Sequence, residues 1–284
     1  MSSLPNVYSP QAPESCCGGC VRRDGMLPLH GVGVLVTRPQ QQAGPLCRLL
    51  ETRGASAYRF PALDIKPLTE RRALAARLGA IEDFDLIVFL SSNAVRFGAM
   101  LLEQKRDLPL AAIGPATSRA LNQAGYRVAV QPAGGFDSES LLRHPKLEHL
   151  ASNRILLVKG SGGREFLQDE LSRRGAQVAV ADVYRRERAN PGSDELSALE
   201  ALFAEGAIQV ITATSAETAD NLLELATPSL RGDFECARWV VPSERVAARL
   251  RERGVSGTLL LADSAEDHDL VEAIARWRAG ESGA

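Results

Sequence analysis

Short runs of apolar residues alternate with longer amphipathic segments along most of this chain. A clear example is 155–158, an apolar run followed by a glycine-rich turn and a helical pattern with Phe166, Leu167 and Leu171 on one face. Gly175 stands where a residue in the left-handed backbone conformation, usually glycine, commonly ends such a helix. Continuous apolar runs are typical of strands that are covered on both faces, and strands that alternate with helices form parallel sheets. The pattern therefore predicts an α/β protein with helices on both faces of its sheets.

The same pattern gives approximate bounds for individual elements. Residues 1–30 are rich in Pro, Ser and Gly and low in apolar content, so we predict a disordered tail there. Beyond it, strands are predicted at 33–37, 55–60, 86–90, 110–113, 127–130, 155–158 and 178–183, and helices at 43–53, 73–81, 94–104, 116–124, 138–143 and 267–278.

Part of the pattern occurs twice. The stretches 34–67 and 154–187 both read as strand, helix and strand, and both helices end in an Arg-Gly-Ala tripeptide. Farther along, 85–94 resembles 208–217, since each is an apolar run that ends in two hydroxyl residues. A repeat of about 120 residues is much longer than the repeats of solenoid proteins. The chain is therefore predicted to contain a duplicated domain.

Composition narrows the class of function. The 284 residues carry a net charge of −2, which gives no overall attraction to nucleic acid or to membranes. No apolar run approaches the roughly 20 residues of a membrane-spanning helix, and no secretory signal pattern is apparent. We therefore expect a cytoplasmic protein with no nucleic-acid partner and no membrane partner.

Metal and cofactor motifs are largely missing. Cys16, Cys17 and Cys20 invite a metal interpretation, but zinc usually takes four ligands and these three lie in the predicted tail. Residues 160–163 do not match the dinucleotide fingerprint, and neither a Walker loop nor a Gly-x-Ser-x-Gly elbow occurs. The four histidines lie outside the predicted strand ends, which argues against a His-based triad. We expect no metal and no cofactor.

Ligands of parallel α/β folds bind outside the carboxyl ends of the strands. The residues that follow the predicted strands are hydroxyl residues, glycines and a few cations, which suit an anionic ligand, as do the free N–H groups of helix N-termini. Some of the hydroxyls have a purely structural alternative, since Ser92, Thr214 and Ser215 are ordinary helix N-cap residues. The candidates at these strand ends are Arg38, Ser91, Ser92, Asn93, Gly114, Lys159, Gly160, Arg164, Thr214, Ser215 and Ser243.

Nine short segments follow one another in a characteristic order. They are VLVTRP at 34–39, the Pro61-x-Leu63-x-Ile65-x-Pro67 connector, FLSSNAV at 89–95, AIGPAT at 112–117, SESLL at 138–142, KGSGGR at 159–164, VYRR at 183–186, TSAETADNLL at 214–223 and VPSERVA at 241–247. Together they resemble the uroporphyrinogen-III synthase family, and the resemblance covers about residues 31 to 278. The chain departs from the usual family pattern at Lys159, where arginine is commoner, and at Ser91, where threonine is commoner; both changes keep the charge or the hydroxyl.

The resemblance implies two similar flavodoxin-like α/β domains with parallel sheets, joined by two extended connectors near 59–67 and 184–191. One domain would be discontinuous. The expected division is a tail at 1–30, domain 1 at 31–60 and 188–278, and domain 2 at 66–183.

The resemblance also implies a reaction. The family cyclises hydroxymethylbilane, a linear tetrapyrrole with eight carboxylates, to uroporphyrinogen III, with loss of water and inversion of the terminal pyrrole ring. Tyr184 is the expected general acid for the departing hydroxyl, with aromatic packing as its structural alternative. Arg38, Lys159, Arg164 and Arg245 are expected to pair with substrate carboxylates. Ser138 joins the strand-end residues as a further expected substrate ligand.

Expectations about partners follow from the same resemblance. They are the small-molecule substrate, the upstream enzyme that forms hydroxymethylbilane, and a monomeric state. Two other functions remain open on the sequence alone. One is a non-catalytic tetrapyrrole-binding module, and the other is a two-domain glycosyltransferase, although the nucleotide-diphosphate loop that the latter needs is not found.

Overall fold

A computed structural model describes residues 27–68, 74, 76, 78–102, 105, 107–132, 134–135, 137–163 and 165–281. The chain forms two compact units. Unit 1 contains the described residues up to Asp64 together with those from Glu187 onward, and unit 2 is Ile65–Arg186. The chain therefore passes from one unit to the other twice. Most of the predicted tail, residues 73, 75 and 77 of the predicted helix 73–81, and Arg164 lie outside the described residues.

The described part of the chain contains eleven strands, ten α-helices with described bounds and three short 3₁₀ turns, and residues 74, 76 and 78 are also helical. The strands are β1 (Gly33–Val36), β2 (Ser56–Arg59), β3 (Leu63–Pro67), β4 (Leu86–Phe89), β5 (Leu110–Ala112), β6 (Val128–Val130), β7 (Arg154–Gly160), β8 (Gln177–Arg188), β9 (Val210–Thr212), β10 (Arg238–Val241) and β11 (Leu259–Leu261). The helices are α1 (Ala43–Thr52), α2 (Ser92–Gly98), α3 (Pro115–Gln123), α4 (Ser138–Leu142), α5 (Phe166–Arg173), α6 (Ser193–Ala204), α7 (Ala216–Leu225), α8 (Pro228–Cys236), α9 (Glu244–Glu252) and α10 (Asp267–Glu281), and the 3₁₀ turns are Ile81–Asp83, Ala99–Leu102 and Pro145–Leu147.

Each unit is built on a parallel sheet. The sheet of unit 1 has the order β2-β1-β9-β10-β11, and all of its strand pairs are parallel. The second sheet has the order β3-β8-β7-β4-β5-β6, and its pairs from β8 to β6 are parallel. Within unit 2, the order β8-β7-β4-β5-β6 repeats the order of unit 1, with β7 in the place of β1. The predicted fold class, two similar α/β domains with parallel sheets, is confirmed.

The two crossing segments are extended and lie side by side as β3 and β8. The amide of Leu68 donates to the carbonyl of Val183 at 3.1 Å, and the amide of Ala189 donates to the carbonyl of Ala62 at 3.3 Å. Residue numbers therefore rise along one segment while they fall along its partner, so the segments run antiparallel. This antiparallel pair is the connection that the sequence predicts as two extended, proline-marked stretches.

Alternate residues of the central strand β1 pack into separate cores on the two faces of the first sheet. Leu35 belongs to a core that contains Phe234 and Trp239, while Val34 packs into a core on the other face. Leu29 is fully buried in that second core, and its amide donates to the carbonyl of Arg53 at 2.8 Å. The predicted tail boundary at residue 30 is therefore wrong, because the folded part of unit 1 already includes Leu29.

Two further local predictions need correction. The segment predicted as one helix at 94–104 is α2 followed directly by the 3₁₀ turn Ala99–Leu102. Phe166 does not share the buried face of Leu167 and Leu171; it is the first residue of α5 and is 42% exposed. Gly175 does follow this helix with a positive φ of 94°, as predicted.

Candidate active site

Tyr184 lies in β8 directly after an irregularity in the strand pairing. Lys159 of β7 is paired with Asp182, but the next pair is Gly160 with Tyr184, so Val183 is an extra residue on β8. Such a bulge re-aims the side chains that follow it. The amide of Ser161 donates to the carbonyl of Tyr184 at 2.7 Å and fixes the backbone there.

The ring of Tyr184 is closely packed. Only 8% of the residue is exposed, and its ring centroid lies 5.9 Å from that of Phe97. The backbone of Gly160 also lies against the ring. A Cβ atom at residue 160 would lie 2.5 Å from Cζ, the ring carbon that bears the hydroxyl. The ring therefore needs glycine at residue 160, since any side chain there would occupy its space.

Ser91 contacts the hydroxyl end of Tyr184. Its Oγ lies 3.1 Å from the Tyr184 hydroxyl, and it also accepts a hydrogen bond from the amide of Ala94 at 2.9 Å. Ser91 is thus the N-cap of α2. The expectation that Ser92 caps this helix is wrong, because Ser92 is already its first residue. Ser92 is exposed and Asn93 is half-buried at the same helix start.

The glycine-rich turn after β7 is held by Lys159. Its Nζ donates to the carbonyl of Gly162 at 2.9 Å and lies 3.7 Å from an oxygen of Asp182. Gly162 and Gly163 both have positive φ, at 75° and 88°, which glycine adopts readily. Lys159 therefore shapes the turn, and pairing with a substrate carboxylate requires it to share or exchange these partners.

Two other predicted residues of unit 2 lie at helix starts. Gly114 is buried and is the N-cap of α3, next to Pro115. Ser138 is the first residue of α4, whose N-cap is Asp137. The carboxylate of Asp137 accepts from the amide of Ser140 at 2.7 Å, and hydrogen bonding by Ser140 lowers the pKa of Asp137.

In unit 1, Arg38 directly follows the buried end of β1 and is held by groups of its own unit. Its Nη2 lies 2.9 Å from Oδ1 of Asp267 and donates to the carbonyl of Ala265 at 2.5 Å. Burial raises the pKa of Asp267, and the nearby Arg38 guanidinium opposes that rise. Nε of Arg38 is buried and makes no hydrogen bond with any described residue. Arg38 is therefore held in a fixed position, and its Nη2 is already engaged by Asp267 and by the carbonyl of Ala265.

Beside Arg38 lies a pair of buried threonines that is not among the residues predicted from the sequence. Thr37 and Thr212 are fully buried at the carboxyl ends of β1 and β9. The Thr37 hydroxyl donates to the carbonyl of Thr212 at 2.5 Å, and the Thr212 hydroxyl donates to the carbonyl of Leu35 at 3.2 Å. A threonine at the end of each apolar run was the only available signal. The pair locks together the two strands whose ends present Arg38 and Thr214.

The remaining predicted hydroxyl residues of unit 1 fall into two groups, those whose side chain makes a hydrogen bond to a described residue and those whose side chain makes none. Ser215 caps α7 by accepting from the amide of Thr218 at 3.1 Å, and it also bonds the Thr218 hydroxyl at 2.9 Å. Thr214 is half-buried, and its hydroxyl makes no hydrogen bond to another described residue. Ser243 is the N-cap of α9 without a side-chain cap bond. Arg245, in the first turn of α9, is exposed.

The structure thus brings three predicted residues into direct contact, Ser91, Gly160 and Tyr184, and it places the other described candidates at strand ends or helix starts of their own unit. Among the described residues, no cluster of three or more His, Cys, Asp or Glu side chains is arranged to hold a metal ion. The cysteines of the predicted tail are not among those residues. No helix in the described part of the chain has the length and apolarity needed to cross a membrane.

Comparison with known proteins identifies the family. Residues 45–272 match the model of the family described as uroporphyrinogen-III synthase HemD. The uroporphyrinogen-III synthase of Escherichia coli (strain K12) is 32% identical over 251 residues, which cover 86% of this chain and all of that protein.

Two solved structures have the same fold. The uroporphyrinogen-III synthetase of Helicobacter pylori 26695 matches with a TM-score of 0.58 at 15% identity, over 87% of this chain and 99% of that one. A mutant uroporphyrinogen III synthase from the extremely thermophilic bacterium Thermus thermophilus matches with a TM-score of 0.53 at 21% identity, over 89% of this chain and 100% of that one. With a family match over most of its length and 32% identity to a relative that it covers in full, this chain belongs to the uroporphyrinogen-III synthase family.

Proposed function

We propose that Tyr184 is the general acid in the reaction of this family. The chain is an enzyme, a lyase that cyclises hydroxymethylbilane to uroporphyrinogen III with loss of water and inversion of the terminal pyrrole ring. Family membership favours this function over the glycosyltransferase and the non-catalytic binding module.

The first chemical step is the loss of the terminal hydroxyl of the substrate. The proton leaves the Tyr184 oxygen and joins the hydroxyl oxygen, the C–O electron pair departs with the water that forms, and a phenolate remains. The nitrogen of the substrate's own pyrrole supplies electrons to the carbon that loses the hydroxyl. When ring closure restores the last aromatic pyrrole, the proton that the carbon releases returns the phenolate to a phenol. The step needs a positioned proton donor and no covalent intermediate with the protein.

The observation that carries this proposal is the placement of the Tyr184 ring. The ring packs against Phe97 and the backbone of Gly160, and its hydroxyl lies beside the Ser91 hydroxyl. The phenol hydroxyl of a tyrosine carries one proton that it can donate. A rigid donor with a fixed direction is what general acid catalysis requires, because the proton must lie within hydrogen-bond reach of the leaving group.

Substrate carboxylates need hydrogen-bond donors and cations. We propose that the unengaged hydroxyls of Ser92, Thr214 and Ser243 serve as direct ligands, with Arg245 as a cation that has no ion pair among the described residues. The remaining substrate-binding proposals involve residues with structural partners of their own or residues that contribute backbone. They are Arg38, Asn93, Gly114, Ser138, Lys159, Gly160 and Ser215, together with Arg164, which lies outside the described residues.

The test of the acid compares three variants. Tyr184→Phe keeps the ring and its packing but removes the proton, so kcat should fall by about 10²–10⁴-fold with little change in product affinity. Thr214→Ala and Ser215→Ala should lower kcat far less. Thermal melting of each variant checks that the fold is kept. If Tyr184→Phe retains near-wild-type turnover while the hydroxyl variants lose it, Tyr184 is a packing residue and the site works by anchoring alone.

The substrate is a small-molecule tetrapyrrole, and finer statements about partners are proposals. We propose a cytoplasmic monomer that receives hydroxymethylbilane from the enzyme that forms it, because the free bilane otherwise closes spontaneously to the type I isomer. Sedimentation of the full chain distinguishes one copy of 30.5 kDa from two. Adding the upstream enzyme should raise the share of the type III isomer at limiting concentrations of this enzyme if substrate is passed directly.

A further inference from the structure

The hydroxyl of Ser91 makes two contacts that have different consequences. It accepts from the amide of Ala94 at 2.9 Å, which caps α2, and it lies 3.1 Å from the Tyr184 hydroxyl. A serine hydroxyl has one proton and two acceptor positions. Since the amide of Ala94 can only donate, the proton of Ser91 is not used in the cap. It remains available for the oxygen of Tyr184.

The direction of the bond between the two hydroxyls decides what Tyr184 can do. If Tyr184 donates to Ser91, its single proton points at the protein and away from the substrate. If Ser91 donates, the Tyr184 oxygen is the acceptor and the phenol proton is free to point elsewhere. Only the second arrangement is compatible with an acid. It also places a donor on the oxygen that becomes negatively charged when the proton leaves, and hydrogen bonds to charged groups are the stronger ones.

We propose that Ser91 is a positioning residue that donates its hydrogen bond to the Tyr184 oxygen and thereby directs the phenol proton toward the leaving hydroxyl. This inference rests on the proposed acid role of Tyr184. It replaces the expected role of Ser91 as a substrate ligand, because the proton of Ser91 is committed to Tyr184 and one acceptor position to the amide of Ala94. The cap fixes the position of Oγ, so α2 holds the donor in place.

Three substitutions of Ser91 separate capping from donation. Ser91→Thr keeps both, Ser91→Ala removes both, and Ser91→Asp keeps a strong N-cap but cannot donate at neutral pH. We expect Ser91→Thr to retain kcat, and Ser91→Ala and Ser91→Asp to lower kcat by about 10- to 100-fold with KM nearly unchanged. Ser91→Asp should melt near the wild-type temperature, which shows that the loss of turnover does not come from the helix. If Ser91→Asp keeps full kcat, the inference is wrong.

A double-mutant cycle with Tyr184→Phe tests whether Ser91 acts through Tyr184. In the Tyr184→Phe background, Ser91→Ala should cause almost no further loss of kcat. An equal loss in both backgrounds, or a rise in KM in place of the fall in kcat, would mean that Ser91 contacts substrate directly, and it would overturn the inference. The two proposals fail differently, since a Tyr184→Phe variant with normal turnover refutes the acid itself.

Thr227 offers a matched control for the loss of a cap. It caps α8 by accepting from the amide of Leu230 at 3.3 Å, and it lies outside the proposed site. Thr227→Ala should lower the melting temperature about as much as Ser91→Ala does, with kcat unchanged. A fall in kcat in Thr227→Ala would show that turnover follows stability in general, and the Ser91 data would then not support positioning.

Discussion

At the scale of single residues, the position of the Tyr184 ring depends on the absence of a side chain at Gly160. Gly160 has no Cβ, and the Tyr184 ring occupies the space where one would be, with Cζ and Cε2 at 2.5 and 2.6 Å from that point. The register shift before Tyr184 sets the ring opposite this glycine. The glycine is therefore needed for close approach of a side chain, which is a different demand from the positive φ of Gly162.

We predict that Gly160→Ala lowers kcat at least about 10-fold, because the new methyl group displaces the Tyr184 hydroxyl from its place beside Ser91. The ring is the movable partner, so the fold should survive with a modest fall in melting temperature. Turnover, melting temperature and product affinity of the purified variant give the comparison.

Gly232→Ala is the matched control for this prediction. Gly232 lies within α8, and a Cβ there meets no atom within 4 Å. Alanine favours helix over glycine by roughly 1 kcal/mol, so Gly232→Ala should be at least as stable as the wild type and fully active. Equal turnover of the Gly160 and Gly232 variants would contradict the close packing of the Tyr184 ring.

Residue-level contacts mark the limit of what sequence could predict. The positions of Ser91 and Tyr184 at strand ends were predictable, but 93 residues separate them, so their contact follows from the packing of β7, β8 and α2. The hydrogen bonds between Thr37 and Thr212 join residues 175 apart. No local pattern of hydrophobic and polar positions contains such pairs.

At the scale of elements, the two units place different residues before the same helix cap. Val34 of β1 pairs with Val210, and Ile155 of β7 pairs with Leu86, so β9 and β4 stand in equivalent register. Ser215 and Ser91 each stand five residues after these paired residues, and they cap α7 and α2. The sequence repeat aligned Ser91 with Thr214, which is one residue out of this register. Thr214 stands one residue before its cap, which explains why its hydroxyl is not used in a cap.

The different roles of Ser215 and Thr214 predict different effects when each is replaced by alanine. Ser215→Ala removes a cap and should cost about 1 kcal/mol, a fall of about 2–4 °C in melting temperature. Thr214→Ala should leave the melting temperature nearly unchanged and raise KM about 2- to 10-fold, if Thr214 binds substrate. Melting curves and steady-state kinetics of both variants check this. A destabilised Thr214→Ala with normal KM would mean that Thr214 is structural.

Element types and order were predictable because each strand of the sheet centres is a short apolar run covered on both faces. The remaining errors have local physical causes. The helix predicted at 94–104 changes to a 3₁₀ turn at Ala99, a change of hydrogen-bond pattern that apolar spacing does not record. Leu29 precedes the first strand and looks like part of the tail, but tertiary packing buries it.

At the scale of the whole molecule, both units have the same strand order, but the chain supplies the strands of each unit in a different sequence. Unit 1 begins its order at β1 and β2 and finishes it with β9, β10 and β11, whereas unit 2 begins with β4, β5 and β6 and finishes with β7 and β8. This arrangement explains why the sequence repeat appeared in two separate pieces. It also places the strand pair that carries Tyr184 at the point where the chain leaves unit 2.

This fold cyclises hydroxymethylbilane with inversion of the last ring. The isomer composition of the product tests this activity when the purified full chain is supplied with freshly made hydroxymethylbilane. The type III isomer should dominate from the first turnovers, at a rate well above spontaneous closure. Formation of the type I isomer alone, at the rate seen without protein, would show that the chain does not direct the ring closure.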